Sequence, residues 1–121
     1  MVIVLAGLTA GIVAGYFTPD INVSLTPFVG VGLLAAFDSV FGAFCASIKK
    51  EFDLSIFITG FFGNIVLAVL LTYIGERLSL DLYLAAVFVF GSRLFNNLAD
   101  IRRYVLTIRR KKLKMNKVDE A

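Results

Sequence analysis

Four apolar blocks dominate the chain, at residues 2–17, 27–48, 54–74 and 80–99. Each is close to the roughly 20 residues that carry a helix across a hydrocarbon core of about 30 Å. Lipid offers no partner to unpaired backbone groups, and the blocks lack the dyad alternation of barrel strands, so helices are the expected solution. Composition agrees. Of the 121 residues 59% are hydrophobic and 17% charged, against about 45–50% and 25% in an ordinary soluble domain. The expected fold is all-α: a polytopic membrane bundle of four transmembrane helices. Residues 1–101 would form the transmembrane domain and residues 102–121 a basic cytoplasmic tail. The first block, with 16 residues, reaches only about 24 Å and is the weakest candidate to span alone.

The joints are short and carry helix-end signals. Thr26 before Pro27 reads as an N-cap with proline in the first turn, Asp53 as the cap of the third helix, and Ser79 with Asp81 as the start of the fourth. A Gly-led turn at 75–79 is expected to end the third helix. Such short loops make sequential helices antiparallel neighbours. The N-terminus has neither a basic stretch nor a small-residue cleavage site, so the first block is expected to be a retained helix.

Charge placement predicts orientation. With the N-terminus inside, the cytoplasmic side holds Lys49, Lys50 and eight basic residues at 102–117, and the outer side holds Arg77 alone. Both termini are therefore expected in the cytoplasm of a multi-pass protein. The absence of His and the presence of one cysteine, Cys45, remove the usual metal ligands and the usual nucleophile and base pairings. No catalysis, metal or cofactor is expected, and Cys45 reads as a small buried residue.

Ionisable residues inside the apolar blocks need a reason, because each costs at least about 2.5–3.5 kcal/mol on insertion scales. Asp38 lies 11 residues below the outer end of the second block, Asn64 10 below that of the third, and Arg93 13 below that of the fourth. At about 1.5 Å per residue all three fall within a slab of roughly 5 Å. They are expected to meet, with Asn64 supporting a buried pair of Asp38 and Arg93. Arg93, Asn96, Asn97 and Asp100 follow the spacing i, i+3, i+4, i+7 and form a polar stripe. Asp38, Gly42, Cys45 and Lys49 share a face of the second helix, and Gly60, Asn64, Ala68 and Thr72 a face of the third. Small residues such as Gly42 and Gly60 would let backbones approach. A structural ion pair is preferred to a transport site, since a paired acid has lost the free carboxylate a carrier uses.

Gly7, Gly11 and Gly15 form two overlapping G-x-x-x-G units. This flat ridge either seats the first helix on its neighbours or pairs two copies of the chain. The twelve Phe residues read as lipid-facing or core filler. Beyond Asp100, Ile101, Tyr104, Val105 and Ile108 recur at helical spacing among basic residues, an interfacial amphipathic pattern. Arg102, Arg103, Arg109, Arg110, Lys111, Lys112 and Lys114 are the expected contacts for anionic lipid, with an acidic protein as the alternative and nucleic acid excluded for a tail held at a membrane. Residues 116–121 are expected to be disordered.

Three runs carry a resemblance: LAAFDSVFGAFCA around Asp38, FITGFFGNIVLA around Asn64, and DLYLAAVFVFGSRLFNNLADIRR at 81–103. They resemble the small basic protein family of Gram-positive and related bacteria over residues 30–103. The resemblance implies a bacterial inner-membrane protein whose gene lies among division and cell-envelope genes, and it brings no catalytic or binding residues. The expected function is a scaffold or interaction component of that machinery, acting as a homo-oligomer or with other membrane proteins. The alternative is a minimal oligomeric transporter or channel lined by Asp38, Asn64, Arg93 and Asn97. Small multidrug exporters, one such minimal class, place in their first helix a carboxylate that this chain lacks.

Overall fold

A computed structural model describes residues 2–121. Its regular elements are helices: α1 (Val2–Tyr16), a single 3-10 turn (Val23–Leu25), α2 (Thr26–Ile48), α3 (Leu54–Leu78) and α4 (Leu82–Glu120). Three of them, α2, α3 and α4, are long and apolar enough to cross a membrane. With 15 residues, α1 measures about 22 Å, shorter than the hydrocarbon core.

The helix ends follow local chemistry, though not always through the residues expected. The Asp53 carboxylate accepts the Ile56 N–H at 3.1 Å and caps α3 as foreseen. Thr26 is not the cap of α2. Asn22 does the capping one turn earlier, its Oδ1 accepting the Ser24 N–H at 3.2 Å, and Thr26 is already helical with its hydroxyl donating back to the Asn22 carbonyl at 3.5 Å. Pro27 sits in the first turn of α2, where no amide hydrogen is needed.

Ser79 terminates α3 instead of starting α4: it takes the left-handed conformation (φ 54°), and the Leu80 N–H reaches back to the Gly75 carbonyl at 2.9 Å. Gly75 does not end the helix, which runs on to Leu78. It is instead the most crowded of the glycines, since a Cβ there would stand 2.6 Å from the Leu80 carbonyl oxygen and 3.0 Å from Leu82 Cβ.

α2 is the central element, with α3 and α4 both packed along it. Its pairings with α3 run in opposite senses, Gly32 facing Ile65 and Val69 and Ser39 facing Asn64. Its pairings with α4 ascend together, Asp38 with Arg93 and Lys49 with Asp100, so α2 and α4 are parallel and α3 is antiparallel to both. Val31, Ala35, Ala68, Ala86 and Phe90 form the buried core, with Leu34, Ile65 and Leu71 against it. Small residues dominate that core, which is how helices approach when lipid is as apolar as the side chains. Large apolar residues such as Phe62, Leu67, Phe88 and Phe95 are exposed, as a lipid-facing surface requires.

α1 stands apart. Apart from half-buried Leu8, its described side chains are exposed, and a cleft of about 620 Å³ separates it from α2 and α3. Gly7, Gly11 and Gly15 line that cleft, yet a Cβ on any of them would meet nothing within 4 Å. The ridge therefore does not seat α1 closely on its neighbours. Gly60 likewise has nothing within 4 Å, whereas at Gly42 a Cβ would touch Asn97 Nδ2 at 3.5 Å.

At the other end the chain does not fray. α4 continues without interruption through the boundary at 101–102 to Glu120, in place of the disorder expected for 116–121. Lys, Arg, Leu and Met are good helix formers, and residues 92–121 contain neither Gly nor Pro. These preferences outweigh the repulsion within the basic run.

Candidate functional site

The polar cluster expected at mid-helix is built by α2 and α4. Asp38, on the face of α2 turned to α4, is fully buried. One of its oxygens, Oδ2, lies 3.1 Å from Arg93 Nη2. The contact is an ion pair without aligned hydrogen bonding, for among the described residues neither carboxylate oxygen has a hydrogen-bond partner. The partners differ sharply in setting: the Asp38 side chain is 0% exposed and that of Arg93 52%. The Arg93 guanidinium also lies over the ring of Phe90, 5.9 Å from its centroid, a favourable cation–π arrangement where water is scarce. Arg93 thus closes the side of the bundle, with an acid behind it, an aromatic ring beneath it and half its surface facing outward.

Below this pair the seam continues inward. Asn97 packs on Gly42, and Asp100 stands 3.7 Å from Lys49 at the rim. The rim pair is about 40% exposed on both sides, so it contributes at most about 1 kcal/mol. It fixes the level at which α2 ends and α4 leaves the bundle. Sequence spacing had placed Lys49 on the Asp38 face and Asp100 on the Arg93 face. The parallel course of α2 and α4, which the spacing does not state, is what brings those two faces together and pairs Lys49 with Asp100.

Two expected members of the cluster lie elsewhere. Asn64 does not support Asp38; its Nδ2 donates to Ser39 Oγ at 3.1 Å. The reason is rotational. Successive helical residues point about 100° apart, so Asp38 turns to α4 and Ser39 to α3. The four-residue stripe on α4 divides for the same reason: Asn97 and Asp100 are half-buried on the α2 side, and Asn96 is exposed. Read from the sequence, Ser39 has no role and Phe90 only that of lipid-facing or core filler, for depth along a helix says nothing about which neighbour each face meets. Cys45 is buried on α2, as a small core residue would be. Arg102, Arg103, Arg109, Arg110, Lys111, Lys112 and Lys114 are all exposed along α4.

Chemically, the cluster holds its acid out of reach. A general acid, base or ligand must meet its substrate, and each oxygen of Asp38 exposes less than 1 Å². The accessible polar groups are Arg93 and Asn96, on the outer flank of α4.

Comparison with known proteins places the chain among small bacterial proteins. It is 42% identical over 102 residues to "Small basic protein" of Bacillus subtilis (strain 168), covering 84% of each chain. It is 35% identical over 102 residues to "Uncharacterized protein Rv1824" of Mycobacterium tuberculosis (strain ATCC 25618 / H37Rv), covering 82% of this chain and 84% of that protein. "Uncharacterized protein Mb1855" of Mycobacterium bovis matches to the same extent. No solved structure matches significantly. The family described as "Protein of unknown function (DUF1290)" matches residues 21–106, which span the 3-10 turn, α2, α3 and the part of α4 packed on the bundle, with the paired Asp38 and Arg93. The chain belongs to that family.

Proposed function

We propose that this protein is a non-catalytic interaction component of the bacterial cytoplasmic membrane, which docks a second membrane polypeptide along the outer flank of α4. One observation carries this: Arg93 is 52% exposed at mid-bundle, with Asn96 exposed one turn further along. An arginine facing lipid at that depth costs at least about 2.5–3.5 kcal/mol. Snorkelling does not rescue it. Arg93 is 11 residues from Leu82 at the start of α4, about 17 Å, which is more than its side chain spans. The nearer rim at Asp100, about 10 Å away, lies on the side from which helical side chains lean away. A neighbouring helix that hydrogen-bonds the guanidinium and the Asn96 amide removes the cost.

The alternative, a path lined by Asp38, Asn64, Arg93 and Asn97, is weakened by the same geometry. Asp38 is buried and paired, and Asn64 is engaged with Ser39. The setting we propose, the division and cell-envelope machinery, rests on the resemblance to the small basic proteins. At the cytoplasmic rim, Arg102 and Arg103 would meet anionic headgroups.

Photo-crosslinking in native membranes tests the proposal. A photoreactive residue at Asn96 is expected to give adducts with a second membrane polypeptide, and one at Val66, exposed on α3, is not. Equal adduct patterns at the two positions, or flux of protons or ions through liposomes that Asp38→Asn abolishes, would overturn it.

A further inference from the structure

The part of α4 beyond the bundle is not used by the docking flank described above, and its geometry differs from that of a helix lying in a membrane surface. We propose that it is a docking helix for an acidic amphipathic helix of a partner protein. α4 runs unbroken to Glu120, and residues 92–121 hold no Gly or Pro at which it would bend. The rim of the bundle is marked by Lys49 and Asp100. Arg109 is nine residues past that rim and Lys117 seventeen, hence about 14 Å and 26 Å further along the axis. Headgroup potentials decay over about 8 Å at physiological salt. The basic cluster therefore stands where a membrane surface attracts it weakly.

Its apolar residues continue an interface that already exists. Leu94, Asn97, Ile101 and Tyr104 are half-buried on the bundle and alternate at spacings of three and four, the heptad rhythm of packed helices. The same rhythm runs on through Ile108, Lys111, Met115 and Val118 past the end of α2. There Ile108 is 50% exposed, Met115 67% and Val118 74%. The stripe has lost its partner helix but not its pattern.

Charge selects the occupant. Residues 105–118 contain six basic side chains and no acidic one. In a parallel second copy Lys111 would face Lys111 inside the seam and the basic runs at 109–114 would lie alongside one another, an unfavourable arrangement that Asp119 opposite Lys114 offsets only at the helix end. A helix with apolar residues at its own seam and Glu or Asp at its edges satisfies both the stripe and the charge, and a single lysine in the seam favours an acid opposite it.

The test uses the full-length chain in bilayer discs and a designed peptide of about three heptads with Leu seams and Glu edges. Binding is expected to be roughly tenfold tighter than for a peptide of identical composition in scrambled order, and Ile108→Asp is expected to remove that preference without changing the melting temperature. Equal binding of the two peptides overturns the proposal by reducing the helix to a charge patch. In discs rich in phosphatidylglycerol, a nitroxide replacing Met115 on a Cys45→Ser background is expected to be reached by aqueous relaxants. Burial of that nitroxide in lipid overturns the proposal in favour of the membrane surface.

Discussion

The pair of Asp38 and Arg93 shows how unequal two partners in one contact can be. Arg93→Ala leaves a carboxylate that is fully buried without its countercharge, a change that costs about 3–5 kcal/mol in folded interiors. Asp38→Ala leaves a guanidinium that retains the Phe90 ring and, in a detergent micelle, can turn its exposed half to water as it cannot in a bilayer, so the loss expected in detergent is smaller. The double variant should recover part of the Arg93→Ala loss, read as melting temperatures in detergent; strictly additive losses would mean that the groups do not interact. Gly75 gives a second residue-scale expectation. Gly75→Ala forces a Cβ to within 2.6 Å of backbone and should cost about 1–3 kcal/mol, in line with overpacked cores. An unchanged melting temperature would show that the turn at 79–81 can yield. The meeting of Asp38 and Arg93 was legible because depth is arithmetic in a helix. The bond between Asn64 and Ser39 was not, because the rotation of each helix about its axis depends on packing that no spacing states.

Among the elements, the three long helices and the Asp53 cap could be read directly from apolar length and side-chain chemistry. The ends that differ share a cause. Asn22 caps a 3-10 turn through its side chain and Ser79 turns the chain through a left-handed backbone, and polar residue type alone does not say which turn forms. The glycine ridge of α1 also looked like a packing surface in sequence, and within the chain it is not one: each of its positions is open to 4 Å. Gly11→Ala should therefore leave the isolated bundle no less stable, and could gain about 0.5–1 kcal/mol of helix stability. A clear fall in melting temperature would place α1 in closer contact than the cleft allows. If the ridge instead pairs two copies, the same substitution lowers dimer recovery in membranes while leaving the monomer intact. The basic extension continues α4 as its helical spacing suggested, and only the disorder expected for 116–121 is reversed, because a run without Gly or Pro can continue a helix that a folded bundle has already nucleated.

At the scale of the whole molecule, the parallel course of α2 and α4 puts Lys49, Lys50 and the entire basic extension at one end of the bundle, while Arg77 lies near the other. The positive-inside rule then predicts that this end is cytoplasmic. Single cysteines on a Cys45-free background test the prediction in intact cells: an impermeant reagent should label the loop at Asp20 and spare the α4 extension, and the reverse pattern would contradict it. What such a bundle does depends on its flank. Its core is rich in small apolar residues and its acid is sealed, whereas a guanidinium and an amide on α4 are left facing outward level with the middle of α2.

The most direct measurement of that claim combines Asn96→Leu with a photoreactive residue at Ser92, one turn away on the same flank. Replacing an exposed amide by leucine removes a polar group from a lipid-facing surface, so the isolated chain should melt at the same temperature or higher. The crosslinked complex recovered from native membranes should nevertheless fall by roughly threefold or more, in keeping with the loss of about 0.6–1 kcal/mol of interhelical hydrogen bonding. An undiminished complex, or a bundle destabilised by the substitution, would contradict the assignment of the α4 flank as the docking surface.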